Sequence, residues 1–159
     1  MPMNTASVSD LKEELKTLKP VQLVELCLRL SRFKKENKEL LTYLLFEAHN
    51  EEGYVESIKK EIDGLFAEIN LSHLYFAKKS LRKIVRIINK YCRYSNVKQT
   101  EIELRIYFCI TLQNSDIPVE RNMVINNIYK SQLKKIDSLL GSLHEDLQHD
   151  YSRLRNSLK

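Results

Sequence analysis

The sequence predicts an all-α fold, and three observations carry that expectation. Breakers are scarce, with three Gly and three Pro in 159 residues, so little interrupts helix propagation. Apolar residues recur at spacings of three and four along most of the chain, the period of one helix face. Strict alternation, the mark of a half-buried strand, is not sustained over any useful length. Seven or eight helices in antiparallel hairpins are expected. They would form either an α-α superhelix of the HEAT or TPR kind or a compact helical bundle. The length suits one domain over residues 1–159, with 1–8 as a loose leader and 114–118 as the candidate sub-boundary.

Ser7 and Asp10 have the spacing of a capping box, with Asp in the place of the usual Glu. They should open a short helix reaching Leu18. Pro20 suits the first turn of a second helix. Leu23, Val24, Leu26, Cys27, Leu28 and Leu30 leave that helix apolar on most of its circumference, so it should be largely buried. The charged run Arg32–Lys38 predicts a break, with Asn37 as the cap of a third helix over about 38–49. Gly53 marks the next joint and the start of a fourth helix, which should run to about residue 69.

Residues 69–100 set the character of the chain. They hold eight Lys or Arg and no Asp or Glu, while the rest of the chain carries 18 cations against 21 acids. On a helical period, Leu74, Ala77, Leu81, Ile84, Val85, Ile88, Tyr91 and Cys92 form one broad stripe. Lys79, Arg82, Lys83, Arg86, Lys90 and Arg93 form a ribbon along another. Ser72 is the expected N-cap. Like charges at these spacings repel by roughly 0.2–0.5 kcal/mol per pair. Burial of the apolar stripe, at about 1.5–3 kcal/mol per large side chain, offsets that repulsion. The ribbon is then either a solvated face, met in part by acids of the preceding antiparallel helix, or a docking surface for phosphate, nucleic acid or an acidic protein.

A sixth helix over 98–113 is apolar nearly all round and should be the most buried element. Asn114-Ser115-Asp116-Ile117-Pro118 is the clearest breaker. Helix resumes from about 119 to 157, as two helices if Gly141 divides it and as one if it does not.

Several of these stretches carry a resemblance. The order Ser9-Asp10-Leu11-Lys12, the apolar second helix ending in Arg32-Phe33-Lys34, the basic helix and the late run Gly141-Ser142-Leu143-His144-Glu145-Asp146-Leu147 resemble a small all-helical bacterial family of unknown function. The likeness covers about residues 9–151, and 49–73 has no counterpart. It implies helices throughout and no particular activity.

Signatures of catalysis are missing from the sequence. The glycines are isolated, so no phosphate-cradling loop is formed. His144 and His149 are five apart and point about 140° away from each other on a helix, too far round to clamp one metal. Cys27, Cys92 and Cys109 are an odd, widely spaced set in apolar runs. They suit a reducing cytosol and predict neither a disulfide framework nor a cofactor. No signal-peptide pattern or membrane-spanning run is visible. The expected role is a non-catalytic interaction module binding a protein partner between helices. The alternative is nucleic-acid or phosphate binding through residues 78–98.

Overall fold

The computed structural model describes residues 2–159. Among them are eight α-helices, one π-helical turn and no strand. In chain order the helices are α1 (Val8–Lys16), α2 (Pro20–Phe33), α3 (Lys35–Thr42), α4 (Glu51–Ala67), α5 (Leu74–Ser95), α6 (Lys98–Gln113), α7 (Met123–Leu140) and α8 (Glu145–Asn156). The π-helical turn spans Tyr43–Glu47. Contacts divide the chain into two units, Met1–Leu45 and Phe46–Lys159. The segment 114–118 instead joins α6 and α7, which pack against each other.

In the first unit the Ser7/Asp10 capping box forms. The Ser7 Oγ accepts from the Asp10 N–H at 3.1 Å, and the Asp10 carboxylate accepts from the Ser7 N–H at 3.2 Å. Met1 of the expected leader lies outside the described residues. Residues 2–7 have no regular structure, and Val8 is already helical. Pro20 opens α2 as expected, and the Gln22 side chain accepts from the Lys19 N–H at 2.9 Å. The break after α2 falls at Lys34, whose backbone is extended. Asn37 is not the cap of α3. It lies inside the first turn of that helix and donates from Nδ2 to the Leu30 carbonyl at 2.8 Å, satisfying the end of α2 instead.

The largest departure concerns α2, which was expected to be mostly buried. No residue of α1, α2 or α3 is buried. Within its unit α2 packs on α3, and one neighbouring helix can cover only one side of a cylinder that is apolar on several.

The second unit has a continuous core with α6 at its centre, touched by α4, α5, α7 and α8. Half of α6 is buried, including Ile102, Leu104, Phe108 and Leu112. At about 1.5–3 kcal/mol per large apolar side chain, α6 alone contributes on the order of 10 kcal/mol of burial. The wall that α5 presents to this core is Ala77, Leu81, Ile84, Ile88 and Cys92. Leu74, expected on the same stripe, is 43% exposed, because it is the first residue of the helix and overhangs the core.

Caps differ from expectation at two joints. α5 begins after His73, without a side-chain cap; the Ser72 N–H donates instead to the Asn70 side-chain oxygen at 2.9 Å. Its far end closes on Asn96, whose φ of 55° is the left-handed conformation that stops a helix. α4 starts at Glu51, two residues earlier than expected, because Asn50 caps it by accepting from the Gly53 N–H at 3.1 Å. Gly53 is therefore a first-turn residue, and a Cβ there would overlap the Asn50 side-chain amide. Gly141 does divide the C-terminal stretch into α7 and α8.

Two variants check this packing. Ile84 is 1% exposed, so Ile84→Asp places an unpaired carboxylate in the core and should cost more than about 4 kcal/mol, enough to abolish the melting transition. The double reversal Arg82→Glu/Arg86→Glu touches exposed positions and should shift the melting temperature by only a few degrees. The opposite order in thermal melts would mean that α5 is rotated about its axis.

Candidate functional site

The basic ribbon lies on the side of α5 turned away from the core. Lys79, Arg82, Lys83, Arg86 and Arg93 are exposed, and Lys90 is half-buried with its ammonium 5.1 Å from the Tyr91 ring centre. This outward placement follows from the apolar stripe. With Ala77, Leu81, Ile84 and Ile88 held inside, the 3.6-residue period sends the cations out.

One flank of the ribbon borders a concavity of about 810 Å³ between α5 and α7. Lys78, Lys79, Arg82 and Arg86 line its α5 side, with Tyr75 near the start of the helix. Asn127 and Ser131 line its α7 side, and Val85, Val124 and Ile128 contribute apolar surface. Of the six expected ribbon residues, Lys79, Arg82 and Arg86 reach this groove. Lys83, Lys90 and Arg93 do not line it. Lys78 lines it too, although it lies outside the expected ribbon. It lies about 40° round the helix from Arg82, and its place in the groove depends on where α7 packs.

Beneath the groove lies a polar cluster that periodicity alone did not single out. Gln132, which lines the groove, is 2% exposed, and its side-chain oxygen accepts from Arg105 Nη1 at 2.7 Å. Arg105 is 3% exposed. Its other donors reach the Glu101 carboxylate at 2.6 and 3.0 Å and the Asn89 oxygen at 2.9 Å. A buried guanidinium needs this full set of partners. The one trace in the sequence is the i, i+4 pair Glu101/Arg105. The cluster ties α5, α6 and α7 together beneath the groove. The Lys135 ammonium is held below its ordinary range, first by burial and then by the nearby Arg105.

The acids of α4 meet hydroxyls and a lysine. Glu61 accepts from the Tyr91 hydroxyl and Asp63 from the Tyr107 hydroxyl, each at 2.7 Å. Glu51 accepts from Ser95 and Thr100. The Glu51–Ser95 and Tyr54–Tyr91 pairings confirm that α4 and α5 are antiparallel. Lys59 sits between Glu103 at 2.7 Å and Glu56 at 3.0 Å. Burial opposes its charge, yet the two carboxylates outweigh that and raise its pKa. The aromatic side chains near the basic helix mostly span core and water in this way. Tyr75, at 69% exposed, and Phe76, at 45%, are exceptions.

His144 precedes α8 without capping it through its side chain and stands 3.6 Å from Asp146 in a fully exposed pair. Among the described residues, no group of three or more His, Cys, Asp or Glu is placed to hold a metal ion. No described helix is long and apolar enough to cross a membrane. Comparison with family models, with curated proteins and with solved structures finds no match to this chain. The groove and its cations therefore have to be read on their own chemistry.

The three cysteines divide sharply. Cys92 and Cys109 are buried, and burial pushes both thiols up to about 12. Cys27 is exposed, against the expectation of a buried small hydrophobe, because α2 itself is open. A raised pKa keeps the unreactive thiol form. Near pH 8, iodoacetamide should therefore spare Cys92 and Cys109 in the folded protein and modify all three cysteines once it is unfolded. Mass spectrometry of the alkylated peptides checks this.

Proposed function

We propose that this protein is a non-catalytic helical interaction module whose α5–α7 groove receives an acidic, amphipathic segment of a protein partner. The observation that carries the reading is the combination of surfaces in one groove. Val85, Val124 and Ile128 supply apolar contact, and Lys78, Lys79, Arg82 and Arg86 stand around them. An amphipathic helix laid in such a groove buries its apolar side and meets cations with its acidic one. The cations add on-rate and select against basic partners. Three free thiols suit work in a reducing compartment such as the cytosol.

The second reading is binding of nucleic acid along residues 78–98. Supporting it is the length of the ribbon, which continues through Lys83, Lys90 and Arg93 beyond the groove. Successive cations on one helix face suit a run of phosphates, and exposed Tyr75 offers a ring for stacking.

Fluorescence anisotropy with two probes separates the readings. One probe is an acidic amphipathic peptide and the other a single-stranded oligonucleotide. Arg82→Glu/Arg86→Glu should weaken either by about tenfold or more, from two lost charge contacts near 1 kcal/mol each. Ile128→Ser should weaken the peptide several-fold and leave the oligonucleotide unchanged. Affinity that falls steeply between two salt concentrations, together with indifference to Ile128→Ser, would favour nucleic acid over protein. Failure of both probes to bind at low salt would remove both readings.

A further inference from the structure

The two walls of the α5–α7 groove differ in chemistry. All four cations, Lys78, Lys79, Arg82 and Arg86, stand on the α5 wall, while the α7 wall presents Val124, Asn127, Ile128 and Ser131. No Asp or Glu lines the groove. Among the described residues none of the four cations forms an ion pair, whereas buried Arg105 has Glu101. The groove is thus charged along one wall and neutral along the other, and nothing inside it offsets that charge. Lys78, Arg82 and Arg86 are four residues apart, about 6 Å per step along the helix axis. The stretch of α5 that lines the groove, Tyr75 to Arg86, is about three turns long.

We infer that the segment received here is a helix whose acidic and apolar flanks are adjacent rather than opposite, its acids four residues apart on the flank that meets α5. This pattern rests on the protein-binding role proposed for the groove, and it narrows the partner. α5 and α7 touch each other. A third helix laid between two touching helices, at the usual interaxial distance from each, makes a triangle with them. The directions from it to its two neighbours are then about 60° apart. Opposite flanks, 180° apart, cannot both face a wall, and one of them would turn to water. Acids at i, i+4 and i+8 keep the step of Lys78, Arg82 and Arg86, because residues four apart are neighbours on a helix face. Apolar residues at i+1 and i+5, or at i+3 and i+7 if the helix runs the other way, are centred about 80° from those acids. They face Val124 and Ile128, which are also four apart.

Three labelled peptides of one composition, matched in helical content by circular dichroism, test this by fluorescence anisotropy with the full chain. All three carry Glu at i, i+4 and i+8. Two have Leu on an adjacent flank, at i+1 and i+5 or at i+3 and i+7, and the third has Leu opposite, at i+2 and i+6. At least one adjacent-flank peptide should bind about tenfold tighter than the third, the worth of one or two surface charge contacts. Arg82→Glu/Arg86→Glu should erase that difference. Equal affinities, a tighter third peptide, or a preference that survives the double reversal overturns the inference and leaves the proposed role standing. If none of the three binds at low salt, the proposed role falls and the inference falls with it.

Discussion

The packing of four helices against α6 is the constraint from which the second unit follows. A helix apolar nearly all round cannot sit at a surface, so α4, α5, α7 and α8 are drawn around it. Its one buried charge, Arg105, then has to find partners from those same neighbours, and it finds them in Asn89 on α5 and Gln132 on α7, besides Glu101 on its own helix. Nonspecific apolar burial brings the helices together. The guanidinium, with donors in fixed directions, restricts how α5 and α7 can be placed along it. The groove between those two helices is thus set by a requirement arising inside the core.

The basic surface is a by-product of the same requirement and also its useful consequence. α5 has to give one stripe to α6, and every residue left over faces water or a flank. Evolution could have filled those positions with mixed charge, as it did on α1, where Lys16 pairs with Glu13. On α5 the exposed charges have one sign. Repulsion along the ribbon is small beside what the core contributes, so the fold tolerates a charge pattern that does nothing for its own stability.

Legibility in the sequence tracked the physics of each element. Helix content, the joint at 114–118, the division at Gly141 and the direction in which α5 turns its cations all rest on local periodicity and on breakers, and those signals are strong here. The caps expected at Ser72 and Asn37 and the helix start expected at Gly53 differ from the structure because each residue bonds elsewhere: Ser72 to Asn70 and Gly53 to the capping Asn50 close by in the chain, and Asn37 to a carbonyl seven residues away. The burial of α2 was misread for a different reason. Composition says that a surface should be covered, but it does not say whether the cover comes from the same unit. The groove was half legible. Its α5 residues follow from the period, while Lys78, the α7 side and the Arg105 cluster depend on which helices meet, and that is a non-local fact.

The corner at the start of α4 has a consequence for how this sequence can drift. The Asn50 amide fills the space that any side chain at position 53 would claim, and the cap of α4 depends on that amide staying where it is. The two positions are therefore locked into a joint choice. A larger residue at 53 would have to push the Asn50 amide aside, and moving that amide would cost α4 its side-chain cap.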